Sequence, residues 1–444
     1  MPPRHGRVGE RPFSRNSLPM QKSCPAEGTS TVPYSKLFLT SCLTLGVISS
    51  TLTPELYAQK KPSPPATQDL SAVDSDFRYQ GEYMGTLQDD ENSFYHKKVG
   101  LQIVARGNGN FDAVLYDGGL PGDGWNDEPA ERAIAQLNDD IVTATVGDYQ
   151  IEVAGNIASF SSLEGESLGE LRKYDRRSAT IGLPAPTDAV VLFDGEKNDL
   201  WKNMNVTEDG LLEQGCETVD TFGDFTLHAE FRLPYKPLGE GQDRGNSGFY
   251  LQRRYEVQVL DSFGDMLEFN HCGAIYRIKA PDLNMCLPPL SWQTYDIDFR
   301  SARFDEEGNK TENMKIRVRQ NGIVIHDAVE IESKTGAGKP EGPEPLTILL
   351  QDHGNPVRYR NIWLVKGDPY EREETEEVTP AESYDDGYYR GRGRGFRNFN
   401  YGPRYPYAAE YWPYTWDYRY APLAPPAPMY MVPNYDLPPY PYAY

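Results

Sequence analysis

The segment LLQDHGNPVRYRNIWLV, residues 349–365, places a Gln-Asp-His-Gly cluster between two apolar runs that are typical of β-strands. His353 carries the one side chain of this cluster whose ordinary pKa lies near neutral pH, so it could act as a general base. Asp352 is adjacent and could fix the tautomer of the ring, and Arg360 follows in the next strand. The alternative is a polar turn whose side chains only satisfy backbone groups.

A second polar group lies in GNSGFYLQRRYEVQVLDS, residues 245–262. Glu256 and Gln258 are two residues apart on a predicted strand, so they share one face opposite the apolar positions. Asn246 and Ser247 stand between glycines that permit a tight turn, where an amide can point at a ligand. Glu256 is therefore a second candidate for the general base.

Other interpretations of these residues stay open at this point. Asp261 has the parity of the apolar positions, so its direction depends on where the strand ends. Glu256 could be an exposed strand residue paired with Arg319 across the sheet. Asp261, Glu256, Asp352 and His353 could also converge on a divalent metal, although no tight ligand spacing predicts one.

The elements that must position these residues are strands. FTLHAEFRL, residues 225–233, puts five apolar side chains on one face and Thr226, His228, Glu230 and Arg232 on the other. The surrounding region has no sustained helical period, which predicts an all-β fold: an antiparallel sandwich of the jelly-roll kind. His228 and His326 are expected to be ordinary surface residues of its strands.

Composition changes divide the chain of 444 residues into five parts. The short strands and tight turns ahead of the sandwich predict a small antiparallel β domain. The predicted parts are a leader and export signal (1–58), a Pro-rich linker (59–76), the small β domain (77–175), the sandwich (188–368) and an acidic, then Tyr/Pro/Arg-Gly-rich, low-complexity tail (369–444).

Charge and cysteine usage limit the possible functions. The formal net charge of −22 argues against general nucleic-acid binding, which needs Lys and Arg at phosphates. The export signal, with an apolar run after Lys36, predicts an extracytoplasmic location in the periplasm or at the cell surface. The tail is expected to be disordered, as is the leader, and to associate with the cell envelope. After signal removal Cys216, Cys272 and Cys286 remain, and they allow at most one intramolecular disulfide.

An ordered set of motifs covers nearly all of residues 190–366. The motifs are VVLFDGEKNDLW, FGDFTLHAEFRLP, GNSGFYLQRRYEVQVLDS, CGAIY, WQTYDI, NGIVIHD, PLTILLQDHG and VRYRNIWL. Together they resemble the 3-keto-disaccharide hydrolase domain family, formerly a domain of unknown function. The family is similar to the concanavalin-like lectin/glucanase sandwiches, which agrees with the periodicity.

The resemblance implies a bacterial, exported enzyme that cleaves glycosides whose sugar carries a ketone at C3. The ketone acidifies the C2 proton, a general base removes it, the aglycone leaves C1 and water then adds. In this interpretation the catalytic residues are His353, Glu256, Asp352 and Arg360. Substrate binding falls to Asn246, Ser247, Arg253, Gln258, Asp261 and Gln351.

No nicotinamide-binding fingerprint is present, so a partner sugar 3-dehydrogenase is expected to make the ketone. No cofactor is certain, and a divalent metal is possible. The main alternative is a carbohydrate-binding, lectin-like module without catalysis, because a fold does not fix a function. A third interpretation is a surface-structural protein in which the tail and the small β domain carry the function.

Overall fold

The computed structural model of the protein describes residues 65–88 and 96–371. Antiparallel sheets make up its folded parts, which confirms the all-β fold class. The predicted leader (1–58) and nearly all of the predicted tail (369–444) lie outside the described residues. No helix within the described ranges is long and apolar enough to span a membrane.

Residues 81–174 form a closed barrel of eight antiparallel strands. The strands are β1 (Gly81–Gln88), β2 (His96–Gly107), β3 (Asn110–Asp117), β4 (Glu131–Asn138), β5 (Ile141–Val146), β6 (Tyr149–Ala154), β7 (Ile157–Ser162) and β8 (Ser167–Tyr174). Alternating side chains such as Leu101 and Ile103 fill the interior. Closure brings β1 so near β8 that a Cβ at Gly85 would lie 2.7 Å from the carbonyl oxygen of Glu170, so a side chain there does not fit.

Residues 190–366 form the sandwich. Its strands are β9 (Val190–Phe193), β10 (Trp201–Lys202), β11 (Leu212–Glu213), β12 (Glu217–Thr218), β13 (Phe225–Arg232), β14 (Ser247–Leu251), β15 (Tyr255–Val259), β16 (Trp292–Arg300), β17 (Arg303–Phe304), β18 (Lys310–Glu312), β19 (Met314–Gln320), β20 (Ile323–Ile331), β21 (Leu349–Leu350) and β22 (Arg358–Lys366). One sheet has five strands in the order β10-β12-β21-β14-β15. The other has seven, in the order β11-β22-β13-β16-β19-β20 with β9 also paired to β22, and β17 and β18 form a small ribbon.

The sandwich core lies between these two sheets. Leu227 and Phe231 of β13 are fully buried, and the ring of Phe231 meets that of Phe249 in β14 with centroids 6.4 Å apart. Val257 of β15 belongs to the same core. Because side chains alternate along a strand, the remaining positions point to two outer surfaces, which we call the five-strand face and the seven-strand face.

The expected surface position of two histidines is wrong. His228 and His326 are both fully buried. His228 does point away from the core, but the connection from the barrel, residues 178–183, hydrogen-bonds to the network around it on the seven-strand face. His326 Nε2 lies 2.8 Å from the carbonyl oxygen of Gly273. Period-two reasoning gives the direction of a side chain and does not show what later covers it.

The barrel contacts the loop that follows β15. Arg106 of β2 pairs with Asp265 at 2.7 Å, and Arg132 of β4 donates to the carbonyl oxygen of Gly264 at 2.5 Å. Arg244 of the sandwich donates in turn to the carbonyl oxygen of Ala105 in β2 at 3.2 Å. These contacts hold the loop against the barrel.

The three cysteines of the sandwich are buried free thiols. The sequence allowed at most one disulfide among Cys216, Cys272 and Cys286, and the structure contains none between them. The sulfur of Cys272 lies 3.2 Å from the hydroxyl oxygen of Tyr295 inside the core. Free cysteine in such surroundings packs as a small apolar side chain.

Candidate active site

The pairing of β14, β15 and β21 builds two rows of side chains across the five-strand face. Gly248 lies opposite Gln258, and it accepts a hydrogen bond from the N–H of Gln351 at 2.9 Å. In the next row Tyr250 lies opposite Glu256. The register therefore gathers two amides, a phenol and a carboxyl group around a glycine that contributes no side chain.

Glu256 is the titratable group at the centre of this arrangement. The hydroxyl of Tyr250 donates to its Oε2 at 2.7 Å. Burial raises the pKa of Glu256 to about 7, although the hydrogen bond from Tyr250 opposes the shift. A Cβ at Gly248 would lie 2.5 Å from Glu256 Oε1, so the carboxyl group occupies the space that the glycine leaves. A carboxyl group with such a pKa can accept and return a proton near neutral pH.

Unpartnered polar atoms collect around this carboxyl group. Of the ten buried side-chain nitrogen and oxygen atoms without a hydrogen-bond partner among the described residues, five belong to this region. Buried polar groups are nearly always hydrogen-bonded, so such a concentration suggests groups that await a ligand. The five atoms are Asn246 Oδ1, Arg253 Nε, Gln258 Oε1, Asn270 Oδ1 and Gln351 Oε1.

Gln242 fixes the orientation of two of these amides. The Asn246 amide donates to the main-chain oxygen of Gln242 at 2.9 Å, and the Gln258 amide donates to Gln242 Oε1 at 3.0 Å. Gln258 also lies 3.4 Å from the main-chain oxygen of Asn270, to which Gln242 donates at 2.9 Å. Because main-chain oxygens can only accept, the amide nitrogens are held there and the amide oxygens are left without a partner.

We call Asn246, Tyr250, Glu256, Gln258, Asn270 and Gln351 the Glu256 cluster. Arg253 stands at its edge, in the turn between β14 and β15, with its Nε 3.8 Å from Glu217 Oε2. The sequence singled out Asn246, Arg253, Glu256, Gln258 and Gln351. It missed Tyr250, Gln242 and Asn270. Tyr250 has the outward parity of Glu256 and could have been found, whereas Gln242 and Asn270 lie in irregular loops that give no such signal.

Arg360 does not belong to this cluster. It lies on the seven-strand face, where its Nε donates to Glu230 Oε2 at 2.7 Å and its guanidinium group covers the ring of Trp292 at 4.0 Å. The whole core separates it from Glu256. The prediction that Arg360 and Glu256 act on one substrate is wrong, because consecutive motifs fall in different sheets.

The QDHG segment forms an exposed turn after β21. Asp352 Oδ1 accepts a hydrogen bond from the N–H of Gly354 at 2.9 Å, as Asp does in an Asx turn. Asn355 donates to the main-chain oxygen of His353 at 3.4 Å. The predicted support of the His353 ring by Asp352 is therefore corrected, because the carboxyl group caps the turn. Gln351 alone of this segment joins the Glu256 cluster.

Ser247 and Asp261 are turned away from the cluster. Ser247 is buried on the core side, where its hydroxyl donates to the main-chain oxygen of Gln351 at 2.5 Å and lies 2.6 Å from the hydroxyl of Tyr359. Asp261 is buried against Arg244 at 2.6 Å. Their prediction as substrate-binding residues is corrected, because one serves the core and the other a buried ion pair.

Two further alternatives find no support in the positions of the residues. Arg319 pairs with Asp298 at 3.1 Å in the other sheet, so it is not the cross-strand partner of Glu256. In the part of the chain that the structure describes, no group of three or more His, Cys, Asp or Glu residues is arranged to hold a metal ion. Glu256 and Asp261 instead engage Tyr250 and an arginine.

The seven-strand face carries a different network, centred on His228. Its Nδ1 lies 2.6 Å from Asp296 Oδ1, and its Nε2 lies 3.8 Å from Glu230 Oε1. Burial opposes charge on the ring, but these carboxylates outweigh it and raise the pKa of His228 to about 9. Burial also opposes charge on Glu230, yet hydrogen bonds from His228, Asn361 and Arg360 lower its pKa to about 2.

This network holds the connection between the two folded parts. The N–H of Gly182 donates to Glu230 Oε1 at 2.6 Å, and the hydroxyl of Thr180 donates to Asp296 Oδ2 at 2.7 Å. All its charges meet an opposite charge or a hydrogen bond from the protein itself. We call this network the His228 clamp. Because its charged groups all have partners within the protein, its role is structural.

Comparison with known proteins assigns the sandwich to a family. Residues 188–365 match the model of the 3-keto-alpha-glucoside-1,2-lyase-like domain. The chain belongs to this family through its sandwich. This confirms the resemblance drawn from the motifs, and it supports a carbohydrate-active role.

Two solved structures from Parabacteroides distasonis, both described as a "putative glycosyl hydrolase", are similar to the chain. The first is 33% identical, with 41% of this chain and 85% of that chain covered and a TM-score of 0.39. The second is 18% identical, with 40% of this chain and 94% of that chain covered and a TM-score of 0.31. No curated protein is found to match the chain.

Proposed function

We propose that the protein is an extracytoplasmic enzyme that cleaves 3-keto-glycosides, with Glu256 as its general base. The observation that carries this proposal is the pKa of Glu256, about 7, in a cluster of buried polar atoms without partners. A carboxyl group that is only half ionised at neutral pH is a poor structural charge and a good proton acceptor.

The chemistry follows from the acidity of the C2 proton next to a C3 ketone. Glu256 takes this proton, and the electron pair of the C2–H bond forms the enolate with its charge on the ketone oxygen. The enolate then re-forms the ketone and expels the aglycone from C1, leaving a C1–C2 double bond. The proton held by Glu256 goes to the departing oxygen, and water adds across the double bond. No net oxidation takes place.

Donors for the enolate oxygen stand beside the base. The hydroxyl of Tyr250 and the guanidinium group of Arg253 can both donate to a developing negative charge. Arg253 takes this role in place of Arg360, which lies on the seven-strand face. Glu256 is a better candidate for the base than His353, because His353 is exposed and has no support from Asp352.

The remaining polar atoms suit a sugar ring. Asn246, Gln258, Asn270 and Gln351 each offer an amide oxygen, and sugar hydroxyls are donors that match them. The same atoms favour a second candidate, a lectin that binds the sugar without cleaving it. The two functions differ in whether Glu256 moves a proton.

The location and the partner are part of the proposal. Residues 1–58 carry the sequence features of export, and the sandwich has no dinucleotide-binding fingerprint. A separate sugar 3-dehydrogenase must then supply the ketone, and the tail serves association with the cell envelope.

The test is aglycone release by the full chain from a 3-keto-glucoside and from the parent glucoside, with and without a chelator. We expect turnover of the keto substrate alone, lost in Glu256→Gln. Saturable binding of the keto-sugar with no turnover would show that the protein is a lectin and not an enzyme. Equal turnover of both glucosides would reject the proposed chemistry, because the parent sugar lacks the acidic C2 proton.

A further inference from the structure

The loop over residues 266–278 exposes an unusual amount of apolar surface. Met266, Leu267, Phe269 and Ile278 are 66%, 38%, 49% and 42% exposed. Among residues 65–88 and 96–371, no other stretch of this length exposes more than two large apolar side chains. Scattered apolar residues on a surface need no explanation, but a contiguous group indicates a contact surface.

The main chain of this loop is firmly held. The ring of His271 lies with its Nδ1 2.8 Å from the main-chain oxygen of Met266, and the N–H of Arg277 donates to the main-chain oxygen of Phe269 at 2.7 Å. Asp265, immediately before the loop, forms the ion pair with the barrel described above. The loop therefore satisfies its backbone inward while its apolar side chains face outward, as in a preformed binding surface.

The loop is continuous with the Glu256 cluster. Asn270 lies within it, and its main-chain oxygen accepts hydrogen bonds from Gln242 and Gln258. The side-chain oxygen of Asn270 is one of the unpartnered atoms of the cluster. Phe269 is its neighbour in the chain, so the apolar surface begins one residue from the polar atoms.

We propose that the 266–278 loop is the aglycone subsite and that it takes an apolar aglycone, such as an aryl or alkyl alcohol. This inference rests on the proposed function. The sugar ring lies on the amide oxygens, and the group leaving C1 lies against Phe269 and its apolar neighbours. The barrel gains a role, because its arginines hold the start of this loop in place.

A second sugar fits this surface poorly. The main-chain oxygens of Met266, Phe269 and Asn270 already accept hydrogen bonds within the protein. The four apolar side chains offer neither donors nor acceptors, so sugar hydroxyls placed against them would lose water without compensation. Glu268 and Arg277 are also exposed in this loop, so the preference for an apolar aglycone rests on contact with Phe269 and its apolar neighbours.

The experiment compares three 3-keto-glucosides that differ only in the aglycone: methyl, benzyl and glucosyl. Methyl and benzyl alcohol are similar leaving groups, so a difference in kcat/KM reports contact with the aglycone. We expect the full chain to prefer the benzyl over the methyl compound by about tenfold, the scale of one buried apolar group. The glucosyl compound should not exceed the methyl compound.

Two loop variants and one matched control complete the test. Phe269→Ser and Met266→Ser should each reduce the ratio of kcat/KM for the benzyl compound to that for the methyl compound. Ile134→Ser removes an exposed apolar side chain on the barrel, 74% exposed, and should leave all three rates unchanged. Thermal unfolding of each variant confirms that the fold is kept.

Equal rates on the methyl and benzyl compounds, or a preference that survives in both loop variants, would overturn the inference. Self-association of the wild type that disappears in Phe269→Ser would also overturn it, by assigning the surface to a second copy. Loss of turnover with all three compounds would reject the proposed function instead. Binding of the methyl and benzyl compounds by calorimetry then still tests the subsite.

Discussion

The two outer faces of the sandwich hold the same residue type in matched positions with opposite properties. Glu230 and Glu256 both lie on strands, point away from the core and are almost fully buried, at 1% and 2% exposed. The pKa of Glu230 is lowered to about 2, and that of Glu256 is raised to about 7. Position in the fold therefore does not decide whether a buried carboxyl group is ionised.

Their neighbours decide it. Glu230 receives hydrogen bonds from Arg360, Asn361 and Gly182, and it lies beside a charged His228. These partners compensate for the hydration that the carboxylate loses on burial. Glu256 has only the hydroxyl of Tyr250 as a side-chain partner, so the effect of burial outweighs this hydrogen bond and raises the pKa of the carboxyl group. A saturated carboxylate holds structure together, and an under-supported one is available for proton transfer.

The largest expected effect is a crossed pair of isosteric substitutions. Glu256→Gln should lower kcat about 1000-fold, within the range for loss of a general base, with the melting temperature kept or raised. Glu230→Gln should keep kcat within about threefold but lower the free energy of unfolding by roughly 3 kcal/mol, because it leaves buried charges without a partner. Steady-state rates and denaturant unfolding measure both.

Similar effects of Glu256→Gln and Glu230→Gln on kcat and on stability would show that the two glutamates do not differ in role. If Glu230→Gln abolished turnover while the fold was intact, the seven-strand face would be part of the active site. A stability loss as large in Glu256→Gln would make Glu256 a structural carboxylate.

A smaller effect is expected when the space beside Glu256 is filled. A Cβ in Gly248→Ala would lie 2.5 Å from Glu256 Oε1, so the carboxyl group must move. We expect kcat/KM to fall about 100-fold, the scale for a misplacement near 1 Å, with a modest loss of stability. Gly223→Ala is the control, since no heavy atom lies within 4 Å of the added Cβ. Equal rates in both variants would show that the position of the Glu256 carboxyl group does not matter.

The two faces should also differ in their pH dependence, because one sets the activity and the other contributes to stability. Turnover needs ionised Glu256, so kcat/KM should rise with pH through about 7 and then level off. The lowered pKa of Glu230 gives stability that is complete above its ordinary pKa of 4.5 and is lost as pH falls toward 2. The raised pKa of His228 gives stability that is complete below its ordinary pKa of 6.5 and is lost as pH rises through about 9.

The His228 clamp should thus stabilise the fold most between about pH 4.5 and pH 6.5, below the pH of full activity. Denaturant unfolding across pH, beside the rate profile, measures this offset. Glu230→Gln should flatten the acid limb of the stability curve and leave the rate profile in place. A rate profile that follows the stability curve would mean that unfolding, and not Glu256, sets the pH dependence.

The smallest effect is expected for His353→Ala. The ring lies in an exposed turn, so kcat should change less than about threefold, as for surface substitutions. Asn355→Ala, two residues further on and buried, should cost more stability. A loss of 100-fold or more in kcat for His353→Ala would restore this residue as the general base.

Parity along one strand is what made part of the site predictable. Glu256 and Gln258 share a face because they are two residues apart, and the structure has them side by side around Gly248. His353 and Arg360 were chosen for their chemistry and their nearness in the chain. That criterion fails for Arg360, because β21 and β22 lie in different sheets although few residues separate them.

The sequence by itself determined the all-β class, the alternation that separates core from face, and the family of the sandwich. These depend on local period and on motifs that are read along the chain. Tertiary structure alone decided the closure of the barrel, the burial of His228 under the connection, and the partners that make one glutamate a fixed charge and the other a base. Each depends on contacts between residues far apart in sequence, such as Gly182 with Glu230, which no local pattern encodes.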